Sequence, residues 1–202
     1  MVLLLAAPVS TQARMRCVNG NQVGISQSSR STTNNLTIEH YKFDVVPCAD
    51  ETPDRSNNDS NLHIKSVEEA ATFIAWIVEK TGWTVREAPP IRFIPYAELV
   101  KIFSGGKSTD YHVEALYSET DHTIYLPESW RPDNLRDRSV LLHELVHHLQ
   151  YLNNVRATCP TEYEFQSIEL QVTWLREQGA DDPLDLLGIS PLFILMLRQC
   201  GE

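Results

Sequence analysis

The residues with the clearest capacity for chemistry lie in the run His143-Glu144-Leu145-Val146-His147. An α-helix turns by about 100° per residue, so the two histidines lie roughly one turn apart on one face. Both imidazoles can therefore reach a single metal ion, and HExxH on a helix is a spacing that binds zinc. Glu144 lies on the adjoining face, where its carboxylate can meet a metal-bound water. We therefore predict a Zn²⁺ site with His143 and His147 as ligands.

The helix that carries this motif is expected to run from Leu135 to Leu152, with Asp133 or Asn134 as its N-cap and Asn153-Asn154 at its end. A surface helix without a metal is the alternative. Buried histidines need polar partners, and apolar residues on the side away from the two histidines favour burial. His148 is expected either to support a ligand or to face solvent. The apolar residues are Leu141, Leu142, Leu145, Val146 and Leu149.

A catalytic zinc site needs a third protein ligand besides water. No HxxGxxH continuation follows the motif, so the third ligand is not the histidine that such a continuation provides. A second helix is predicted from Thr161 to Leu175, and Glu164 borders its apolar stripe. Glu164 is therefore the predicted third ligand. Glu162 and Glu169 are turned further toward solvent and remain alternatives.

These motifs resemble those of the gluzincins, zinc peptidases in which HExxH is followed by a helix that carries a ligand glutamate. The segment Glu164-Phe165-Gln166-Ser167 is similar to the E-x-x-A pattern of the membrane-anchored CAAX and heat-shock zinc proteases. The segment Gln171-Val172-Thr173-Trp174-Leu175 resembles the end of this helix in small exported bacterial domains of minigluzincin type. The resemblance covers about residues 66–178. The Asp that often follows the ligand glutamate in that family is replaced in this chain.

The resemblance implies a zincin-like α+β fold and zinc-dependent hydrolysis of a peptide or protein substrate. His143, His147 and Glu164 would hold Zn²⁺, and Glu144 would act as general base toward the attacking water before protonating the leaving amine. The alternative is a zinc-binding module without peptidase activity, although a closed structural site has no use for a base beside its metal. The residue that stabilises the oxyanion stays open among Tyr117, Tyr125, His112, His122 and Tyr163.

The elements expected before the motif complete an α+β arrangement of a helix and a small mixed sheet with a hairpin. A helix is predicted to begin at Ser66, which forms a capping box with Glu69, and to end at Gly82. The glycine-rich run 105–109 lacks the spacing of a phosphate-binding loop and is expected to be a turn. The other predicted elements are a strand over 91–95, a short helix over 96–103 and hairpin strands over 113–117 and 123–126.

Residues 64–202 are expected to form this domain, and residues 14–63 a weakly structured region. The latter contains polar loop sequence at residues 27–35 and one predicted strand from Leu36 to Val46. Met1 to Ala13 is similar to the apolar and cleavage regions of a secretory signal peptide. It lacks Lys or Arg before the apolar run, as a truncated signal would, and a buried N-terminal strand is the alternative.

The net charge and the cysteine content limit which partners and which cell compartment are expected. A net charge of −10 and a pI near 5.1 argue against nucleic acid and anionic membranes as partners. No stretch approaches the roughly 18 apolar residues of a membrane span.

The four cysteines show no CxxC spacing, and an even number in an exported protein indicates two disulfides. Cys17–Cys48 and Cys159–Cys200 are favoured, since each would tie a loose end to the domain. Free thiols in a cytosolic protein are the alternative to a periplasmic or secreted protein.

Overall fold

A computed structural model describes the backbone of residues 17–18, 21–33, 36–47, 57–85, 87–107 and 112–199. Side chains are described for residues 63–85, 87–107 and 112–199. The chain divides into two compact units, Met1–Thr52 and Pro53–Glu202. The predicted signal segment over residues 1–13 lies outside the described residues.

The described part of the first unit is an antiparallel sheet of three strands. Its strands are β1 (Cys17–Val18), β2 (Asn21–Thr33) and β3 (Leu36–Pro47), in the order β1-β2-β3. Strand β3 confirms the strand predicted from Leu36 to Val46. The loop expected at residues 27–35 is wrong for residues 27–33, which pair with β3 apart from an irregularity between Gln27 and Ser29. Main-chain groups form a ladder whatever the side-chain polarity, so polar composition alone did not exclude a strand.

The second unit is α+β, with six helices and a three-stranded mixed sheet among its described residues. The sheet has the order β4-β6-β5, with β6 parallel to β4 and antiparallel to β5. Strand β5 therefore lies at one edge of the sheet. The elements are α1 (Asn57–Thr81), β4 (Ile91–Ile94), α2 (Tyr96–Ser104), β5 (Leu116–Ser118), β6 (Thr123–Pro127), α3 (Leu135–Leu152), α4 (Pro160–Glu177), α5 (Pro183–Leu187) and α6 (Pro191–Leu197).

Most of the predicted elements of this unit are confirmed to within a few residues, and the start of α1 is the exception. Helix α1 begins at Asn57 rather than at Ser66. The hydroxyl of Ser66 is buried and donates to the main-chain carbonyl of His63 at 2.8 Å. Glu69 pairs with Arg138 of α3 at 2.6 Å. The predicted capping box is therefore wrong, because both of its side chains have other partners inside the helix and across it.

Helix α3 lies at the centre of the core of this unit and contacts α1, α4, β5 and β6. Its predicted apolar face is completely buried, namely Leu141, Leu142, Leu145, Val146 and Leu149. The side chain of Asn134 accepts hydrogen bonds from the main-chain N–H groups of Arg136 and Asp137 at 2.9 and 3.2 Å. This cap starts the helix at the predicted position.

Two aromatic rings connect α1 with α4. Phe73 of α1 meets Trp174 of α4 in an edge-to-face contact with ring centroids 5.0 Å apart. The guanidinium of Arg138 lies over the same indole, 5.2 Å from its centroid. These contacts, together with the buried face of α3, hold α4 beside α3. No helix among the described residues has the length and apolarity needed to cross a membrane.

We expect substitution of Leu141 by Ala to lower the free energy of unfolding by about 2–5 kcal/mol, because this fully buried side chain leaves a cavity. The matched control is Leu192→Ala on α6, where the leucine is 66% exposed and a change within about 0.5 kcal/mol is expected. Urea denaturation followed by circular dichroism measures both. Equal losses in the two variants would contradict a core centred on α3.

Candidate metal centre

Helices α3 and α4 bring the three predicted ligands together. The Nε2 atoms of His143 and His147 lie 3.1 Å apart. Each lies 3.3 Å from an oxygen of the Glu164 carboxylate, Oε2 for His143 and Oε1 for His147. Ligand atoms of all three residues lie within 4.8 Å of one another, so a single ion can contact all three. These three residues are called the His-His-Glu cluster.

The two alternative carboxylates on α4 have other partners. An oxygen of Glu162 accepts a hydrogen bond from the main-chain N–H of Thr158 at 2.6 Å, at the start of the helix. Glu169 pairs with Arg198 at 3.4 Å. Of the three glutamates weighed from the sequence, Glu164 is therefore the one that the helix packing directs at the histidines.

A glutamine side chain fixes the orientation of the His147 ring. Its Nδ1 lies 2.9 Å from Oε1 of Gln150, whose amide nitrogen donates to the main-chain carbonyl of Tyr163 at 3.1 Å. A carbonyl oxygen can only accept, so the amide nitrogen must face Tyr163 and the amide oxygen must face His147. Nδ1 of His147 therefore carries a hydrogen, and in the neutral ring Nε2 presents a lone pair toward Glu164.

The His143 ring is fixed in the same way by a second glutamine. Its Nδ1 lies 3.1 Å from Oε1 of Gln171, and the amide nitrogen of Gln171 donates to Oγ of Ser139 at 3.1 Å. Ser139 uses its own hydroxyl hydrogen on the main-chain carbonyl of Arg136 at 2.7 Å, so it must accept from Gln171. Nε2 of His143 is therefore also free of hydrogen in the neutral ring.

The donor set and its supports fit a zinc ion. Two imidazole nitrogens and one carboxylate oxygen are ligands that zinc takes in catalytic sites. Hydrogen bonds from Nδ1 to outer partners orient such rings and raise the basicity of Nε2. Sequence reasoning missed Gln150 and Gln171, and it left support for the ligands unidentified. The sequence signal for these two glutamines was their helical spacing, since Gln150 follows His147 by about one turn and Gln171 follows Glu164 by about two turns.

The electrostatics of the cluster favour a bound cation. Burial lowers the pKa of His147, but its hydrogen bond to Glu164 and the charges of Glu144 and Glu164 outweigh burial and raise that pKa to about 9. Burial raises the pKa of Glu164, but hydrogen bonds from His143 and His147 outweigh it and hold that pKa well below its usual value. Without a metal, the cluster therefore holds a proton on His147 beside an ionised Glu164 at neutral pH.

Solvent reaches the cluster from one side. The side chain of Glu164 is 50% exposed, whereas those of His143 and His147 are 16% and 17% exposed. The half-exposed Glu164 therefore leaves the cluster open to solvent on that side, which is compatible with water as a further ligand.

The predicted base, Glu144, is buried on the face of α3 that meets the edge strand β5. One carboxylate oxygen, Oε2, accepts a hydrogen bond from the main-chain N–H of Tyr117 at 2.7 Å. The charge of Glu144 contributes to the raised pKa of His147, so the carboxylate acts on the cluster electrostatically.

His148 is buried, with 1% of its surface exposed, which excludes the alternative that it faces solvent. Strand β5 covers this face of α3. Nε2 of His148 lies 3.0 Å from the main-chain carbonyl of Glu87, and Nδ1 lies 3.3 Å from the hydroxyl of Tyr117. Burial lowers the pKa of His148, which keeps the ring neutral at pH 7. Since the carbonyl takes the hydrogen on Nε2, Nδ1 accepts from Tyr117.

The five candidates for oxyanion stabilisation each contact another group, and the structure assigns none of them. Their partners are Tyr96 for His112, His148 for Tyr117, Tyr117 for His122, Asp121 for Tyr125 and the main-chain carbonyl of Val155 for Tyr163.

The cysteine prediction is tested at one position. Cys159, directly before α4, is disulfide-bonded. Cys48 and Cys200 lie outside the described residues, so the pairings Cys17–Cys48 and Cys159–Cys200 stay predictions.

Comparison with known proteins gives one match. Residues 64–195, well over half of the 202-residue chain, match a family model described as a domain of unknown function, DUF6647. The matched range includes α3 and α4 and therefore the whole His-His-Glu cluster. No curated protein and no solved structure matches the chain.

Metal binding is expected to release about one proton per ion at pH 7, because the proton on His147 must leave before Nε2 can bind a metal. Because this proton competes with the metal, the apparent affinity for Zn²⁺ should rise about tenfold per pH unit from pH 7 and level off near pH 9. The same charge on His147 stabilises the metal-free fold fully below the ordinary pKa of 6.5, and this contribution is lost as the pH rises through about 9.

Calorimetric titration in buffers of different ionisation enthalpy counts the released protons. Glu164→Gln is the control and is tested without zinc, by NMR titration of the His147 ring, because removal of the carboxylate should return the pKa of His147 toward its ordinary value. Zinc binding with no proton release at pH 7 in the unsubstituted protein would contradict this account of the cluster.

Proposed function

The chain belongs to the DUF6647 family, and from the geometry of its site we propose that it hydrolyses peptide bonds with the help of a bound zinc ion. The observation that carries the proposal is the convergence of two oriented imidazoles and a carboxylate on one point, with Glu144 next to His143 in the same helix. The resemblance of the HExxH and Glu164 motifs to the gluzincins supports the same activity. A zincin-like fold is part of this proposal.

His143, His147 and Glu164 would hold the zinc ion, which would supply Lewis-acid chemistry at the scissile carbonyl and lower the pKa of water. Glu144 accepts a proton from the attacking water and delivers it to the leaving amine. Its Oε2 is bound to the N–H of Tyr117, which leaves Oε1 to receive the proton. Gln150 and Gln171 keep both imidazole rings in one orientation throughout.

A peptide substrate is supported by the position of β5. This strand lies at the edge of the sheet and contacts α3. The N–H of Tyr117 points away from β6 and is used by Glu144, so this part of the edge lies against the helix that carries the cluster. An extended peptide can pair with main-chain groups of such an edge strand other than this N–H. The scissile bond would then pass beside α3.

Action outside the cytoplasm is part of the proposal and is supported by the disulfide-bonded Cys159. Disulfides persist in oxidising compartments and are rare in the cytosol. A periplasmic or secreted location would supply these conditions.

The test combines zinc content with cleavage of a peptide library. We expect about one zinc ion per chain in the unsubstituted protein and in Glu144→Gln, with cleavage reduced about 10²–10⁴-fold in the variant because the base is lost. Glu164→Gln should lose zinc and activity together. Glu169→Gln, a glutamate on the same helix that pairs with Arg198, is the matched control and should retain both.

The outcomes separate the proposal from its rival. Cleavage by Glu144→Gln at the rate of the unsubstituted protein would contradict a role as general base. Zinc bound through the cluster without cleavage of any peptide would instead support a zinc-binding module without peptidase activity.

A further inference from the structure

We propose that His148 is a positioning residue that acts through Tyr117 to hold the carboxylate of Glu144 in place. The inference rests on the proposed function, because it takes Glu144 as the general base. Its basis is a set of contacts that joins one residue of the edge strand β5 to two successive turns of α3. We call Glu144, Tyr117 and His148 the β5 clasp.

The β5 clasp follows from helical spacing. Glu144 and His148 are four residues apart, so they lie one above the other on the same face of α3. Tyr117 meets both of them, since its main-chain N–H donates to Glu144 at 2.7 Å and its hydroxyl contacts Nδ1 of His148 at 3.3 Å. The tyrosine and imidazole rings also pack edge to face, with centroids 5.4 Å apart. The residue that binds the base is thus anchored one helical turn away.

The hydrogen bonds of the clasp have a defined direction. The neutral ring of His148 uses the hydrogen of Nε2 on the main-chain carbonyl of Glu87, at 3.0 Å. Nδ1 therefore accepts the hydroxyl hydrogen of Tyr117. That hydroxyl has one hydrogen only, so it must accept in its contact with Nδ1 of His122, at 3.2 Å. A directed chain thus runs from His122 through Tyr117 to His148.

The hairpin turn supports the far end of this chain. His122 has a φ of 55°, a left-handed conformation that costs about 1 kcal/mol or more for a residue with a Cβ. Its ring packs on Tyr151 of α3 with centroids 4.5 Å apart. The hydrogen bond to Tyr117 and the ring contact with Tyr151 support this conformation, so the turn between β5 and β6 is attached to α3 as well.

The clasp matters for the base because β5 is short. A three-residue strand at the edge of a sheet has few main-chain hydrogen bonds to hold it, and such elements open locally at low cost. A catalytic group has to be held within about 0.5 Å of its productive position. The contact of His148 with the Tyr117 hydroxyl ties β5 to α3 beside Glu144 and so limits the movement of the carboxylate.

The principal test is Tyr117→Phe, which removes the hydroxyl and keeps the ring and the main-chain N–H. Tyr125→Phe is the matched control, because it makes the same change on the neighbouring strand, where the only hydroxyl hydrogen is donated to Asp121 at 2.6 Å and is therefore not available to an oxyanion. We expect Tyr117→Phe to lower kcat about 10- to 100-fold with KM and zinc content unchanged, since misplacement of a catalytic group by about 1 Å costs this much. Tyr125→Phe should keep kcat within about twofold.

A readout independent of activity is hydrogen exchange of the Tyr117 amide, followed by NMR in the zinc-free and zinc-loaded protein. We expect the amide of residue 117 to exchange about tenfold faster in Tyr117→Phe than in the unsubstituted protein, and at an unchanged rate in Tyr125→Phe. Unchanged exchange together with unchanged kcat in Tyr117→Phe would overturn the inference. If the unsubstituted protein cleaves no peptide, the proposed function fails, while the exchange rates still decide whether the clasp holds β5.

Two substitutions of His148 test the anchor itself. The amide oxygen of His148→Asn can replace Nδ1 as the acceptor for Tyr117, whereas the longer side chain of His148→Gln places its amide nitrogen near Nε2 and keeps only the contact with Glu87. We expect exchange of the Tyr117 amide to remain closer to that of the unsubstituted protein in His148→Asn than in His148→Gln. The reverse order would contradict anchoring through Nδ1.

Discussion

Two imidazole nitrogens that both present lone pairs, 3.1 Å apart, repel each other unless a cation lies between or beside them. Gln150 and Gln171 enforce this arrangement, because their amide oxygens take the hydrogen of each Nδ1. The ionised Glu164 adds a negative charge at the same point. In the metal-free protein a proton on His147 meets this demand, and the zinc ion that we propose would meet it with all three groups at once. The rest of the structure keeps these groups from moving apart.

Helix α3 accomplishes this by giving each of its faces a different neighbour. His143 and His147 face α4, which supplies Glu164 and Gln171. Glu144 and His148 face the edge strand β5, which supplies Tyr117. The apolar face packs in the core with α1 and the sheet. Because one helix carries the proposed ligands, the proposed base and His148, small shifts of α4 or β5 would change the contacts of the cluster and those of Glu144 separately.

Local patterns were sufficient to predict much of this arrangement. The Asn134 cap, the apolar face of α3 and the HExxH spacing are encoded within one helix, and the three residues predicted as ligands converge as expected. Contacts between elements were not predictable in the same way. The roles of Gln150, Gln171 and His148 depend on how α4 and β5 pack on α3, which no single segment specifies. The pairing of β2 likewise depends on a second segment, the following strand β3, rather than on a pattern within β2 itself.

X-ray absorption at the zinc edge of the zinc-loaded protein tests the central claim most directly. We predict about four nitrogen or oxygen neighbours at about 2.0–2.1 Å, with the outer scattering of two imidazole rings. Glu164→Gln should alter this shell while the scattering of both imidazoles remains in whatever zinc is retained. Sulfur neighbours at about 2.3 Å, or a shell of oxygens without imidazole scattering, would contradict a zinc site formed by His143, His147 and Glu164.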